Sequence, residues 1–87
     1  MANGNLVEIR AKLPGQVTIH PGKHPMKNTD LPGVGDVVEE RQEVAFIEAM
    51  KMQNQILAPK KAKVVEIHAT TGDMVKVGDL LMTLEEL

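Results

Sequence analysis

The chain contains no cysteine, which removes disulfides, thiolate zinc sites and a cysteine nucleophile. It also has no tryptophan or tyrosine, and a single phenylalanine, Phe46. A core must be built from Val, Ile, Leu, Met and Ala, and the aromatic faces on which nucleic-acid bases stack are missing. Positive charge is not in excess: 10 Lys and Arg stand against 12 Asp and Glu, for a net charge of -2. Both absences argue against a nucleic-acid ligand. No apolar run approaches the ~20 residues of a membrane span, and no signal peptide is visible. A cytoplasmic location without membrane insertion is expected. What is present is an 87-residue chain, 43% hydrophobic, enough for one small domain over 1–87 that must be rich in regular pairing at this size.

A repeat organises that chain. The segment VGDVVEERQEVAFIE (Val34 to Glu48) resembles TGDMVKVGDLLMTLE (Thr71 to Glu85) at an offset of 37 residues, with Gly35 over Gly72, Asp36 over Asp73, Val38 over Val75 and Glu48 over Glu85. Apolar positions also coincide: Val37 with Met74, Val44 with Leu81, Ile47 with Leu84. Upstream, GQV (Gly15 to Val17) is similar to AKV (Ala62 to Val64). Val17 and Gly35 lie 18 positions apart, Val64 and Gly72 only 8, so the first copy carries about 10 extra residues. They fall in PGKHPMKNTDLPG, residues 21–33, which holds three of the five prolines. This stretch reads as an inserted loop, because proline fixes turns and refuses a ladder.

Around the repeat the pattern is one of short strands. VEIRAK alternates, with Val7, Ile9 and Ala11 on one face and Glu8, Arg10 and Lys12 on the other. LPG (Leu13 to Gly15) turns it, and QVTIH alternates again through Val17 and Ile19. Gly-Asp pairs at 35–36, 72–73 and 78–79 mark turns in which aspartate can bond its own backbone. Many short strands between close turns predict a small sandwich or barrel. VAFIEAMKMQNQIL contains fair helix formers, but its apolar residues do not form one stripe. Its counterpart LLMTLEEL ends the chain as a strand, so this segment is also assigned as a strand, turning at Met50-Lys51 and returning as QNQILA. Tight hairpins favour Asn-Gly or Asp-Gly because both turn residues need positive φ. Met-Lys breaks that rule, and local rules are broken where function is expected.

EAMKM (Glu48 to Met52), placed at a hairpin between two Gly-Asp-marked halves, resembles the attachment motif of biotinyl domains. These are the carrier domains of biotin-dependent carboxylases, decarboxylases and transcarboxylases. The likeness runs from LPGQV to the final strand LLMTLE. It implies an all-β fold, a flattened barrel-sandwich of two four-stranded antiparallel sheets with pseudo-two-fold symmetry and the attachment lysine on a hairpin tip. By that match Lys51 is the biotinylated residue. Met50 and Met52 match the flanking methionines read by biotin protein ligase and partner enzymes, and Glu48 and Ala49 shape the strand end or the ligase surface. The resemblance further implies that biotin on Lys51 takes a carboxyl group from a biotin carboxylase and delivers it to an acceptor, expected to be an acyl-CoA, on a carboxyltransferase. Acetyl-CoA carboxylase of fatty acid biosynthesis is the expected parent type. The chain itself is then a non-catalytic carrier. Two departures stand out: the family has glycine where this chain has Arg41 and Ala62, and both are read as turns that bend differently here. The inserted loop resembles the thumb of bacterial acetyl-CoA carboxylase carrier proteins, though its residues differ and it is longer.

Other readings stay open on the residues alone. A lipoyl carrier would share the fold, but lipoyl domains place Asp before the lysine and lack the paired methionines. A decarboxylase or transcarboxylase carrier would share the motif, and an unmodified adaptor would share only the scaffold. Met50 and Met52 as core gap-fillers is the usual alternative for methionine. His20 and His24 have metal-ligand spacing for a helix, but Pro21, Gly22 and Pro25 forbid that helix and no carboxylate is placed to complete a site. No metal is expected. His68 is read as structural within a strand, and Lys60, Lys61 and Lys63 as a solvated turn.

Overall fold

A computed structural model describes residues 5–87. Eight strands follow one another: β1 (Leu6–Arg10), β2 (Gly15–Thr18), β3 (Val37–Val38), β4 (Glu43–Ala49), β5 (Met52–Leu57), β6 (Ala62–Ile67), β7 (Met74–Val75) and β8 (Leu80–Glu86). They form two four-stranded sheets, ordered β1-β8-β6-β3 and β5-β4-β2-β7, with every pairing antiparallel. Exchanging β1 to β4 with β5 to β8 converts one order into the other, so the repeat seen in the sequence is a structural pseudo-two-fold. Val17, Val38, Val44, Ile47, Val64, Leu81 and Leu84 are fully buried in the shared core. Each such aliphatic side chain contributes about 1.5–3 kcal/mol on burial. The expected strand pairing of Val44 to Leu57 about Met50-Lys51 is as read from the repeat, and no residue of that segment is helical.

Four equivalent turns tie the halves together. In each, the fourth residue donates its backbone N–H to the carbonyl of the first: Asp36 to Gly33, Gln42 to Glu39, Asp73 to Thr70 and Asp79 to Lys76. The side chain of the same fourth residue accepts the N–H of the first at 2.8–2.9 Å. The third residue has positive φ: Gly35 (95°), Arg41 (71°), Gly72 (100°) and Gly78 (94°), as a type II turn requires. This conformation aims the third residue's N–H at a neighbouring strand, Gly72 to Val17 and Gly35 to Val64, and the strand residue returns a bond to the following Asp. Arg41 was expected to bend its turn differently. It does not: its N–H reaches Ala58 just as that of Gly78 reaches Ala11, and the symmetry-imposed geometry overrides the side chain. Ala62 is not a turn residue at all but the buried first residue of β6.

The strain at Arg41 is testable. A left-handed non-glycine residue costs about 1–2 kcal/mol, and a glycine there loses about 0.5–1 kcal/mol of backbone entropy on folding. Arg41→Gly should therefore raise stability by about 0.5–1 kcal/mol in urea denaturation, with an unchanged m-value. A loss of stability would show that the Arg41 side chain contributes more than its backbone costs.

The insert between β2 and β3 is more ordered than its prolines suggest. Lys23 and Asp30 form a β-bridge, flanked by backbone bonds from His24 to Thr29 and from Leu31 to Gly22. His24 is buried; Nδ1 accepts the Met26 N–H at 3.0 Å, which places the ring proton on Nε2, donating to Glu43 at 2.6 Å. Glu43 arrives from β4, so the carboxylate that sequence spacing did not place beside His24 is brought there by the fold. The ring meets Phe46 edge-on, with centroids 4.6 Å apart. Four consecutive residues of β4, Val44 to Ile47, are buried because the other sheet covers one face and this loop helps cover the other. In β8 the counterpart of Phe46 is Thr83, whose hydroxyl lies 2.9 Å from Nε2 of His68. His68 sits just beyond the end of β6 rather than within a strand. Among the described residues no three His, Asp or Glu are grouped to hold a metal.

Candidate functional site

Strands β4 and β5 pair from Glu43–Leu57 up to a last rung between Ala49 and Met52. Two residues, Met50 and Lys51, close the hairpin with φ of 52° and 64°. Positive φ at both positions is the mark of a type I′ turn, the form whose twist matches the strands. Asparagine and glycine are its usual occupants. Here two long side chains hold left-handed conformations at about 1–2 kcal/mol each, a local strain of the kind that persists only where the surroundings impose it.

The surroundings do impose it. On one side Asn54 of β5 donates Nδ2 to the carbonyls of Ile47 at 3.1 Å and Met52 at 3.2 Å, cross-bracing the hairpin below its apex. On the other side β2 runs alongside β4, with Gln16 opposite Glu48 and Val17 opposite Ile47. Gly15 makes this approach possible. A Cβ at Gly15 would collide with the Glu48 carbonyl oxygen and lie 2.6 Å from Cγ2 of Ile47. The turn is thus clamped from both flanks while its apex stays free.

At the apex Met50 is 94% exposed and Met52 66%, which rules out the gap-filling role usual for methionine. Lys51 is exposed, and its amine has no carboxylate within ion-pair distance among the described residues. Glu48 is exposed and Ala49 half-buried, both at the end of β4. All five residues of EAMKM therefore gather at one tip. His20, His24, His68 and the lysines 60, 61 and 63 have no place there. Two residues that brace the site were not singled out from sequence as such. Asn54 carried a signal, since asparagine is depleted in strands. Gly15 did too, as a glycine opening a strand often marks close backbone approach.

The fold thus sets one exposed lysine on a clamped, protruding turn, flanked by exposed apolar side chains. Comparison with known proteins supplies the family. Residues 28–84 match the family model described as biotin-requiring enzyme, and the chain belongs to that family. It is a biotinyl domain of the biotin-dependent carboxylase class, whose cofactor is covalently bound biotin. The mitochondrial propionyl-CoA carboxylase alpha chain of Sus scrofa is 47% identical over 66 residues, covering 67% of this chain and 9% of that one. The biotin carboxyl carrier protein of Streptococcus mutans is 44% identical over 54 residues, covering 62% of this chain and 42% of that one. The crystal structure of Kluyveromyces lactis urea carboxylase matches with a TM-score of 0.73 and 28% identity, over 97% of this chain and 6% of that one. This chain spans less than half the length of each of these.

Proposed function

We propose that this chain is a biotin carboxyl carrier in which Lys51 is the biotinylated residue. The observation that carries the reading is the Met50–Lys51 turn, where two non-glycine residues hold left-handed conformations to present an exposed amine. A lysine with only a solvating role gains nothing from such a position. Attachment is an amide bond: the unprotonated Nζ attacks the activated carboxyl carbon of biotin, loses one proton, and the activating group leaves. The ammonium charge is removed, and the lysine stem becomes a flexible tether. Met50 and Met52 give biotin protein ligase an apolar surface on either side of the amine, and Glu48 and Ala49 form the strand end it approaches.

When bound, biotin supplies a ureido nitrogen able to carry a carboxyl group. The protein supplies display and reach, not chemistry, and tethering raises the local concentration of the cofactor at two successive active sites. Those sites belong to a biotin carboxylase and a carboxyltransferase, and the similarity to a propionyl-CoA carboxylase chain supports an acyl-CoA as acceptor.

The test is to incubate the biotinylated chain with a biotin carboxylase, ATP and radiolabelled bicarbonate. Label should appear on the protein and be discharged by a carboxyltransferase with acetyl-CoA or propionyl-CoA. Discharge by pyruvate but by neither thioester would overturn the acyl-CoA assignment. No label on a fully biotinylated chain would overturn the carrier reading itself.

A further inference from the structure

The pseudo-two-fold provides an internal comparison for the surface beside Lys51. It exchanges Leu13 and Pro14, just before β2, with Lys60 and Lys61, just before β6; it exchanges Met74 with Val37, and Ala49 and Met50 with Glu86 and Leu87. The two corners share exposed apolar residues at Val37 and Leu87 as at Met74 and Met50, but differ at the other three positions. At the chain-end corner Lys60 lies 3.4 Å from Glu86, whose carboxylate also accepts from Asn5. At the hairpin corner the counterparts of Lys60, Lys61 and Glu86 are the apolar Leu13, Pro14 and Ala49. Leu13, Pro14, Ala49, Met50 and Met74 line an open depression of about 440 Å³, with Met74 74% exposed. Strand pairing does not require apolar residues at positions 13, 14 and 49, since their counterparts are Lys60, Lys61 and Glu86. Pro14, Met50 and Met74 are exposed and Leu13 and Ala49 half-buried, so a small apolar shelf beside the turn is left open to solvent.

We propose that this shelf is a resting site for the acyl arm on Lys51, a reading that rests on the assignment of Lys51 made above. The methylene chain and thioether ring of the attached biotin lie against Leu13, Pro14 and Met74 when no partner enzyme holds them. Met50 lines the shelf and immediately precedes Lys51, so the arm starts at the shelf's rim. Acylation leaves the arm neutral and largely apolar, matching a lining that offers no charge besides Glu48 at its edge. Methionine suits a site that must bind weakly and release, because its flexible, polarizable side chain adapts to different shapes. The inserted loop is a poorer candidate: its His24 packs on Phe46 and Glu43, toward the start of β4 and away from the tip.

The experiment uses the whole chain with methionine ε-methyl groups labelled with carbon-13, before and after biotinylation. Intact mass comes first. Absence of a biotinyl group on Lys51 refutes the attachment assignment and is read separately from the shelf. With one group attached, NOEs from the biotin ring protons to the Met74 methyl are expected, and none to Met26. Leu13→Lys with Pro14→Lys, which copies the chain-end corner and keeps the Met74 methyl as reporter, should remove the ring-proton contact to Met74 while leaving the mass gain complete. A biotinylated chain with no ring contact to Met74, or with contacts to Met26 instead, overturns the shelf.

Discussion

Lys51→Arg should abolish biotin incorporation completely while leaving the fold intact. The reason is chemical rather than structural. Arginine keeps the positive charge and the length of the side chain, but its guanidinium remains protonated at any working pH and offers no free amine to acylate. Because Lys51 is exposed and has no ion-pair partner among the described residues, the substitution breaks no contact, and the melting temperature should stay within the small range of a neutral surface change. Lys51→Gly separates function from stability in the opposite sense. It relieves a left-handed side chain worth about 1–2 kcal/mol against about 0.5–1 kcal/mol of added backbone entropy. The net gain of about 0.5–1 kcal/mol corresponds to a rise of roughly 2–8 °C in a domain of this size. The variant should therefore melt higher and never be biotinylated. Streptavidin blotting and calorimetry on the two variants measure both effects. Residual biotin in Lys51→Arg, or a lower melting temperature in Lys51→Gly, would contradict the account of the turn.

Gly15→Val should be the most destabilising of the substitutions at the site. The added Cβ meets the Glu48 backbone carbonyl and the buried Ile47 side chain, and neither can swing away. Overpacking a well-filled core costs about 1–3 kcal/mol; a β-branched residue against backbone belongs at the upper end, about 3 kcal/mol. For a domain near this size that lowers the melting temperature by roughly 12–24 °C. The pseudo-two-fold supplies the control. Ala62 occupies the equivalent position at the start of β6 and is fully buried, so a Cβ is accommodated there, and Ala62→Gly should cost only about 1 kcal/mol. Thermal unfolding followed by circular dichroism measures both changes. A loss below about 1 kcal/mol at Gly15 would mean that β2 does not clamp the hairpin as closely as the geometry indicates.

The pattern of what was legible in the sequence follows from which features are local. The Gly-Asp pairs fixed three of the four turns, and the two-copy alignment resolved the helix–strand ambiguity of VAFIEAMKMQ, because turn chemistry and repetition are written in consecutive residues. Arg41 was misjudged because its left-handed backbone is imposed from elsewhere: the bonds to Ala58 demand it, and no glycine advertises it. The double burial of β4 was hidden for a related reason. Phe46 is shielded by His24, which is 22 residues earlier in the chain, and a loop full of proline gives no sign that it will fold over a strand. The tip itself was legible as a motif, with Glu48, Ala49, Met50, Lys51 and Met52 brought together as adjacency requires. Its bracing was not, since the importance of Asn54 and Gly15 depends on which carbonyls they face.

The central claim is that one lysine, set on a strained and clamped turn, is the point of biotin attachment. Intact mass followed by peptide mapping, on protein co-expressed with a biotin ligase and supplied with biotin, tests it most directly. The account predicts a gain of a single biotinyl group, located on Lys51 alone, with Lys60, Lys61 and Lys63 unmodified. A folded chain that gains no biotin, or one that carries it on any other lysine, would contradict it.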